Sequence, residues 1–386
     1  MRPTFSTPLT RLGALSVGDF MRSYWQKRPV LLRQALPQLL PSLSRDSLLA
    51  LAARNDVESR LVTAFNGRWR LRQGPFRPDD LPALSRKHWT LLVQGVDQHD
   101  PAAHALLSRF RFVSDARLDD LMVSYATDGG GVGPHIDSYD VFLIQAQGRR
   151  RWRISRQCDR ALVTGLPVKI LADFVPTHEW VLEPGDVLYL PPGVAHEGVA
   201  LDECITCSVG FRAPRWQELV APWHAWLEES TRIPGAYRDP GLQPTRTPAR
   251  LPMTMVDASF RILVQRTPKR SDAEAMLLSL LSEPKPSVVF TPPARRLPPR
   301  EFALSARQHG IALDLRTRLL YSRRRGAVNG ELLPVPITAE LRRLADHRMI
   351  MGRDAIRLVE SQGNLLYEWY VCGWLHLLRA QSQSDA

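Results

Sequence analysis

GGGVGPHIDSYDVFLIQAQGRRRWRIS, residues 129–155, is the stretch whose reading decides the fold. Two short apolar runs, DVFLIQAQ and RRWRIS, flank a Gly at a turn, which predicts antiparallel strands. His135 and Asp137 are two residues apart, so on a strand both side chains project from one face. An imidazole nitrogen beside a carboxylate oxygen suits a borderline divalent metal. Alone, His-x-Asp is a weak signal, because chance surface pairs of this kind are common. Within RRRWRIS, Trp152 and Ile154 are the apolar members and should point inward. Arg150 then shares their face, while Arg149, Arg151 and Arg153 face solvent.

A second stretch, GDVLYLPPGVAH (185–196), raises the odds. Its Gly185-x5-Pro191-x-Gly193-x2-His196 spacing matches the second metal motif of the cupin superfamily. A Pro-Gly turn ends one strand, and the histidine re-enters the barrel. The first cupin motif is reduced here to His135-x-Asp137, leaving two histidines and one carboxylate. Such a facial triad leaves metal positions open, as in non-haem Fe(II) oxygenases. A bidentate 2-oxo acid and O₂ fit those positions. A 2-oxoglutarate co-substrate also needs a deep cation for its distal carboxylate, and inward-facing Arg150 is the preferred anchor.

Outward from this core, the same rhythm runs from about 59 to 210. HWTLLVQGV, DLMVSYAT, EWVLEPGD and VLYLPPG alternate with Gly, Pro and Asp, as in an antiparallel barrel or sandwich. Towards the amino terminus, Val30–Leu32 predicts a short strand, and residues 44–56 a helix capped by Ser44 or Asp46. After 214, WQELVAPWHAWLEES reads as helical, with three Trp fitting either a core helix or an oligomer interface. Residues 232–253 read as a linker, and 284–300 as a second Pro-rich boundary. Beyond, LDLRTRLLYSRRR and ELLPVPI predict one hairpin around Gly326 and Asn329-Gly330. Helices are expected at 338–348 and near 363–380.

The 386 residues exceed one ordinary domain, and 44% apolar content supplies core material. A net charge of +12 favours acidic partners such as RNA without implying sequence-specific reading. Four cysteines exclude a disulfide scaffold. No run approaches eighteen apolar residues, and the start lacks a signal-peptide pattern, so a soluble cytoplasmic protein is expected.

LDDLMVSYATDGGGVGPHIDSYDVFLIQAQGRRRWRIS, HEGVALDECITCSVGFRAP and YWQKRPVLLRQA together resemble the JmjC-type ribosomal oxygenases. Within them the likeness is greatest to the bacterial ribosomal-protein arginine hydroxylases. It is specific over 115–214 and looser after 260. The resemblance implies an α+β chain with three parts. These are a double-stranded β-helix (JmjC/cupin) catalytic domain with amino-terminal helices (1–214), a helical dimerisation segment (215–283) and a winged-helix-like domain (284–386). It implies Fe(II)- and 2-oxoglutarate-dependent hydroxylation of an arginine on the sixteenth large-subunit ribosomal protein, with O₂ as co-substrate. Carried over by position, His135, Asp137 and His196 are metal ligands and Arg150 the 2-oxoglutarate anchor. Asp120, Met122, Tyr139 and Ser208 match the substrate pocket.

The residues support part of this. Asp120, Met122 and Ser124 share one strand face by period two, and Tyr139 that of His135 and Asp137. A carboxylate in an apolar pocket is what a guanidinium requires, and Ser124 could add a hydroxyl to the 2-oxoglutarate site. A helix-start or loop carboxylate beside Asp119 is the bland alternative for Asp120.

Competing motifs are weaker. Gly129–Gly133 lacks the Lys-Ser/Thr of a phosphate cradle and reads as a flexible loop over the site mouth. Cys204-x2-Cys207 has no second half, so strand packing is preferred to zinc. His178 reads as structural or exposed. Arg323-Arg324-Arg325, at the hairpin tip, is a candidate RNA contact or a solvated turn. Two rival functions remain: a histidine hydroxylase of another ribosomal protein, and a non-catalytic RNA- or ribosome-binding winged-helix protein. Asp120 argues against the first, and retention of all four residues His135, Asp137, Arg150 and His196 against the second.

Overall fold

The computed structural model describes residues 7–36, 38, 43–83, 85–156, 160–212, 214–230, 251–264 and 269–378. Its chain contacts gather into two compact units. One comprises Met1–Ala213, Pro284–Thr317 and Thr338–Ala386; the other Pro214–Glu283 and Arg318–Ile337.

The first unit is built on strands β1 (Val30–Leu32), β2 (Ser59–Phe65), β3 (Arg68–Gln73), β4 (Trp89–Val93), β5 (Leu118–Ala126) and β6 (His135–Ile136). They continue with β7 (Asp140–Gln147), β8 (Arg150–Ser155), β9 (His178–Leu182), β10 (Val187–Leu190), β11 (Ala195–Ala200) and β12 (Cys204–Phe211). All pairings are antiparallel. The larger sheet runs β1-β10-β7-β12-β5-β4-β2-β3, and the smaller β9-β8-β11-β6. Val141, Leu143, Trp152, Ile154, Leu182, Leu188 and Leu190, drawn from both sheets, form one buried cluster between them. This sandwich of facing sheets is the barrel that the 59–210 rhythm predicted.

Alternation sends the other strand faces to a second, larger core. Leu121, Val123, Tyr125, Phe142, Ile144, Cys207 and Val209 pack there with Phe20, Leu48 and Leu106 from helices α1 (Val17–Ser23), α2 (Arg45–Ala52) and α3 (Pro101–Ser108). Phe142 is the hub, with ring centroids 4.9 Å from Phe110, 5.0 Å from Tyr189 and 5.3 Å from Phe20. Helix starts follow local chemistry: Ser44 caps α2 by accepting from the Ser47 amide, settling the choice between Ser44 and Asp46. Asp100 caps α3, with Pro101 in the first turn.

Buried carboxylates in this core are paired, as the cost of an isolated buried charge demands. Asp140 accepts from Tyr189 Oη at 2.6 Å and Gln26 Nε2 at 2.9 Å, with Arg117 at 3.2 Å. Asp186 accepts from Arg33 at 2.7 Å and from the Gln34 amide at 2.8 Å, fastening the segment after β1 to the turn before β10.

The start of the glycine run is hydrogen-bonded to β11. Gly129 donates to Ala200 O at 2.8 Å, and Gly130 accepts from Ala200 N at 2.9 Å. A Cβ on Gly131 would lie 2.5 Å from Gly198 O, so glycine is required for a close backbone approach. Cys204 packs with Ala126 and Ala200, as expected of a strand cysteine.

Also in this unit are helices Pro299–His309, Ala339–His347 and Gly352–Cys372, with a small sheet made of Ile311–Leu313, Met349–Ile350 and Leu375–Leu377. The last helix begins eleven residues before the expected 363 and is interrupted at Gln362, whose φ of −136° is non-helical. It ends at Gly373, with φ +78°, and part of the expected span to 380 is instead the strand Leu375–Leu377.

The second unit holds helices Val220–Ser230, Met253–Val264 and Arg270–Ser282 and a three-stranded sheet, Leu319–Tyr321, Gly326–Val328 and Glu331–Leu332. The single hairpin of the sequence reading is therefore two. Gly326 opens the middle strand, the arginine run forms the first turn, and Asn329-Gly330, both at positive φ, form the second. Most of the expected 232–253 linker lies outside the described residues; helix Met253–Val264 starts where it ends.

Candidate metal centre and substrate pocket

The strand register assembles the centre. β6 and β11 pair so that His135 lies directly opposite His196, and their ring centroids are 4.2 Å apart. Asp137 lies just past the end of β6. Its carbonyl accepts from the Gly193 amide at 2.9 Å, tying the ligand loop to the Pro-Gly turn. Its carboxylate approaches His135 Nε2 at 3.9 Å and His196 Nε2 at 3.6 Å. Among the described residues, these three are the one group of His, Cys, Asp or Glu side chains whose ligand atoms gather within 4.8 Å.

Hydrogen bonding prepares both imidazoles for a metal. His135 Nδ1 faces Gly133 O and His196 Nδ1 faces Val194 O, each at 3.0 Å. A carbonyl only accepts, so the proton resides on Nδ1 and the Nε2 lone pairs point towards Asp137. Burial, then the neighbouring His135, holds the His196 pKa down to about 4, so its ring is in the neutral, ligating form at pH 7. Two imidazoles and one carboxylate on a shared side fit a divalent metal with open positions.

Arg150 lies deep in the barrel at 5% exposure, on the face shared with Trp152 and Ile154 as alternation required. Its Nη1 donates to Ser124 Oγ at 3.1 Å, while Nε and Nη2 are buried with no partner among the described residues. A buried guanidinium with donors left over is a ready-made carboxylate receptor. Arg149 and Arg153, by contrast, face outward and pair with Asp202 and Glu197. Trp152 stands between these features, its ring 6.0 Å from His196 and 5.9 Å from the Arg150 guanidinium. Gly198, opposite Trp152, makes room for it: a Cβ there would lie 2.7 Å from the ring.

The candidate substrate residues line up across β5 and β12. Met122 pairs with Ser208 and Ser124 with Thr206, both in register. Asp120, on the same face of β5, is 2% exposed. Gln94 Nε2 donates to its two oxygens at 3.1 and 2.8 Å, and Lys285 Nζ to Oδ2 at 2.9 Å. Asp120 is thus no loop carboxylate. Burial pushes its pKa up, Lys285 opposes that, and adjacent Asp119 adds to it.

Tyr139 is not placed by strand periodicity, since β6 stops at Ile136. It sits 39% exposed with both Asp137 and Asp120 in its electrostatic surroundings, linking the metal ligands to the acidic pocket. Burial and these carboxylates raise its phenol pKa, so it is a neutral hydroxyl donor. His178 is exposed and stacks on Trp180, outside the centre.

Sequence reasoning missed Gln94 and Lys285. Gln94 follows a strand of five buried residues with nothing to mark it. Lys285 lies between Pro284 and Pro286 in a stretch that reads only as a boundary.

Comparison with known proteins agrees with this geometry. A family model for the JmjC domain matches residues 105–219, and one for the ROXA-like winged helix matches 265–376. The ribosomal protein uL16 3-hydroxylase of Escherichia coli is 36% identical over 299 residues, covering 77% of this chain and 79% of that one. A probable ribosomal oxygenase of Haemophilus influenzae is 39% identical over 206 residues, 52% of this chain and 50% of that one. The X-ray structure of E. coli ycfD matches with a TM-score of 0.84 at 31% identity, covering 95% of this chain and 100% of that one. The same ribosomal oxygenase in complex with cobalt and 2-oxoglutarate matches at 0.81 and 31%, covering 95% and 99%. With its barrel, its His-Asp-His centre and these matches taken together, the chain belongs to the JmjC-domain ribosomal oxygenases.

Proposed function

We propose that the protein is an Fe(II)- and 2-oxoglutarate-dependent oxygenase that hydroxylates an arginine side chain of the ribosomal protein uL16. The observation that carries this reading is the combination, inside one barrel, of the His135–Asp137–His196 cluster and a buried Arg150 with two unused donors. The E. coli relative's name supplies the ribosomal protein, and a structural relative was solved with cobalt and 2-oxoglutarate.

His135, Asp137 and His196 would hold the iron through their Nε2 atoms and one carboxylate oxygen. When bound, the iron supplies the oxidising chemistry that turns 2-oxoglutarate and O₂ into succinate, CO₂ and one oxygen atom inserted in a C–H bond. The chain's own work is positional. Arg150 grips the distal carboxylate of 2-oxoglutarate, with Ser124 orienting the guanidinium from Nη1. Asp120 takes the substrate guanidinium, Met122 packs along its methylene stem, and Tyr139 and Ser208 donate hydroxyl bonds at the pocket wall. Val141, Leu143, Trp152 and Ile154 keep water from the reacting carbon.

Asp120 favours arginine over the histidine alternative, because a neutral imidazole does not repay the cost of burying a carboxylate. The orphaned donors of Arg150 disfavour a purely structural barrel.

The coarser surroundings complete the proposal. Residues 1–214 form the catalytic part, 215–283 the dimerisation segment and 284–386 the winged-helix-like part. Trp216 at 87% exposure, with Val220, Met253 and Phe260 also exposed, supports a homodimer formed through 215–283. Arg323–Arg325 is the candidate RNA contact. No helix among the described residues is long and apolar enough to cross a membrane, and the assigned substrate points to the cytoplasm.

The test is succinate release by the Fe(II)-loaded protein, with and without a uL16 fragment. Fragment-stimulated release, lost in His196→Ala, supports the proposal. Release that ignores the fragment refutes the substrate, and no release at all refutes the oxygenase.

A further inference from the structure

Asp120 reaches the substrate already engaged. Two carboxylates, Asp119 and Asp120, face two cations: Lys285 Nζ lies 2.9 Å from Asp120 and 3.3 Å from Asp119, and Arg212 Nε lies 3.2 Å from Asp119. These four named charges balance one another. Arg60 Nη2 donates to Gln94 Oε1 at 3.2 Å, and its Nε lies 3.9 Å from Glu58. A carboxylate offers about four acceptor positions. Among the described residues, Gln94 occupies two on Asp120 and Lys285 a third. One is left, whereas a guanidinium bound bidentately needs two. If Lys285 stayed, the arriving guanidinium would also add an uncompensated positive charge to a buried site.

Of the two partners, Lys285 is the one able to leave. Its side chain is 29% exposed, against 4% for that of Asp120, so the ammonium has solvent to return to. Pro284 and Pro286 bracket it, restricting its backbone and leaving the side chain as the part free to move. Burial works against its charge, but Asp120 and Asp119 outweigh this and keep its pKa above the ordinary lysine value.

We propose that Lys285 is an exchangeable internal counterion of Asp120, displaced by the substrate guanidinium, and that this exchange makes the pocket select arginine over lysine. This rests on the reading of Asp120 as the substrate carboxylate. While the pocket is empty, Lys285 occupies an acceptor position of Asp120 and keeps the carboxylate preformed. A substrate lysine offers one ammonium in exchange for another and gains nothing. A guanidinium replaces one hydrogen bond by two and a point charge by a planar fork, so only it gains on exchange.

The experiment measures dissociation constants of a uL16 fragment carrying arginine, and of the same fragment with lysine in its place, on the metal-loaded protein with 2-oxoglutarate. In Lys285→Met, both fragments should bind more tightly. The lysine fragment should gain more, shrinking the arginine preference about tenfold, roughly one charge-assisted contact. In Lys285→Arg, the resident guanidinium competes harder and the arginine fragment should bind more weakly than to the parent. An unchanged preference in Lys285→Met, or weaker arginine binding there, overturns the exchange. Asp120→Asn separates the two layers. If it leaves arginine binding unaffected, the assignment of Asp120 itself fails. If it weakens binding while Lys285→Met changes nothing, only the exchange fails.

Discussion

Replacing Arg150 by methionine should act in opposite directions on binding and on stability. Arg150 is 5% exposed, with one donor used on Ser124 and with Nε and Nη2 unmatched among the described residues. Each buried donor without a partner costs about 1–3 kcal/mol, whereas the single bond to Ser124 returns about 1 kcal/mol. Methionine keeps most of the packing of the stem and removes the orphaned groups. The protein without co-substrate should therefore lose no stability and gain about 1 kcal/mol or more, read from urea midpoints. Binding should move the other way. A bidentate contact between Arg150 and a carboxylate comprises two charge-assisted bonds of about 1.5–3 kcal/mol each. Their loss raises KM for 2-oxoglutarate on the order of a hundredfold or more, measured by succinate formation. In the parent, 2-oxoglutarate should raise the thermal midpoint, and in the variant this rise should vanish. A KM within a factor of about two of the parent value, or a variant less stable by several kcal/mol, would refute the reasoning: Arg150 would then be a structural cation.

Gly198→Ala should drive its methyl into the Trp152 ring and disturb the wall beside His196; turnover should fall on the order of tenfold to a hundredfold, with the fold retained by circular dichroism. Phe142→Ala, at the aromatic hub of the large core, should cost about 3–5 kcal/mol in denaturant unfolding. Burial, then Arg348, holds the His104 pKa down to about 3 from an ordinary 6.5. The unfolded chain takes up this proton first, so the contribution is intact above pH 6.5. It is lost as pH falls towards 3, at up to about 1.4 kcal/mol per unit. His104→Phe should flatten that part of the stability profile, and an unchanged slope would show that His104 is not its source.

The barrel and metal centre were legible because both rest on short-range rules. Period-two alternation placed Arg150 inward with Trp152 and Ile154, and the Gly-x5-Pro-x-Gly-x2-His spacing carried His196 to the strand position facing His135. The same rule overreached at Tyr139, because β6 ends at Ile136 and a loop, not a strand, places Asp137 and Tyr139. The glycine run looked mobile for want of side chains. The Trp89 and Gly198 carbonyls against Gly130 and Gly131, and the His88 and Ile170 side chains against Gly129 and Gly133, explain why side chains are excluded. The second hairpin turn hid behind Gly326, a turn-like residue that begins a strand because Leu333 and Ile337 fill the space above it. Lys285 was invisible for the simplest reason: it is 165 residues from Asp120, and nothing local records that meeting.

Fragmentation mass spectrometry of the uL16 fragment after incubation with the protein, Fe(II), ascorbate and 2-oxoglutarate tests the central claim most directly. The account predicts one added oxygen localised to an arginine side chain, and none with His196→Ala. An added oxygen on histidine, or an unmodified fragment beside brisk succinate formation, would contradict it.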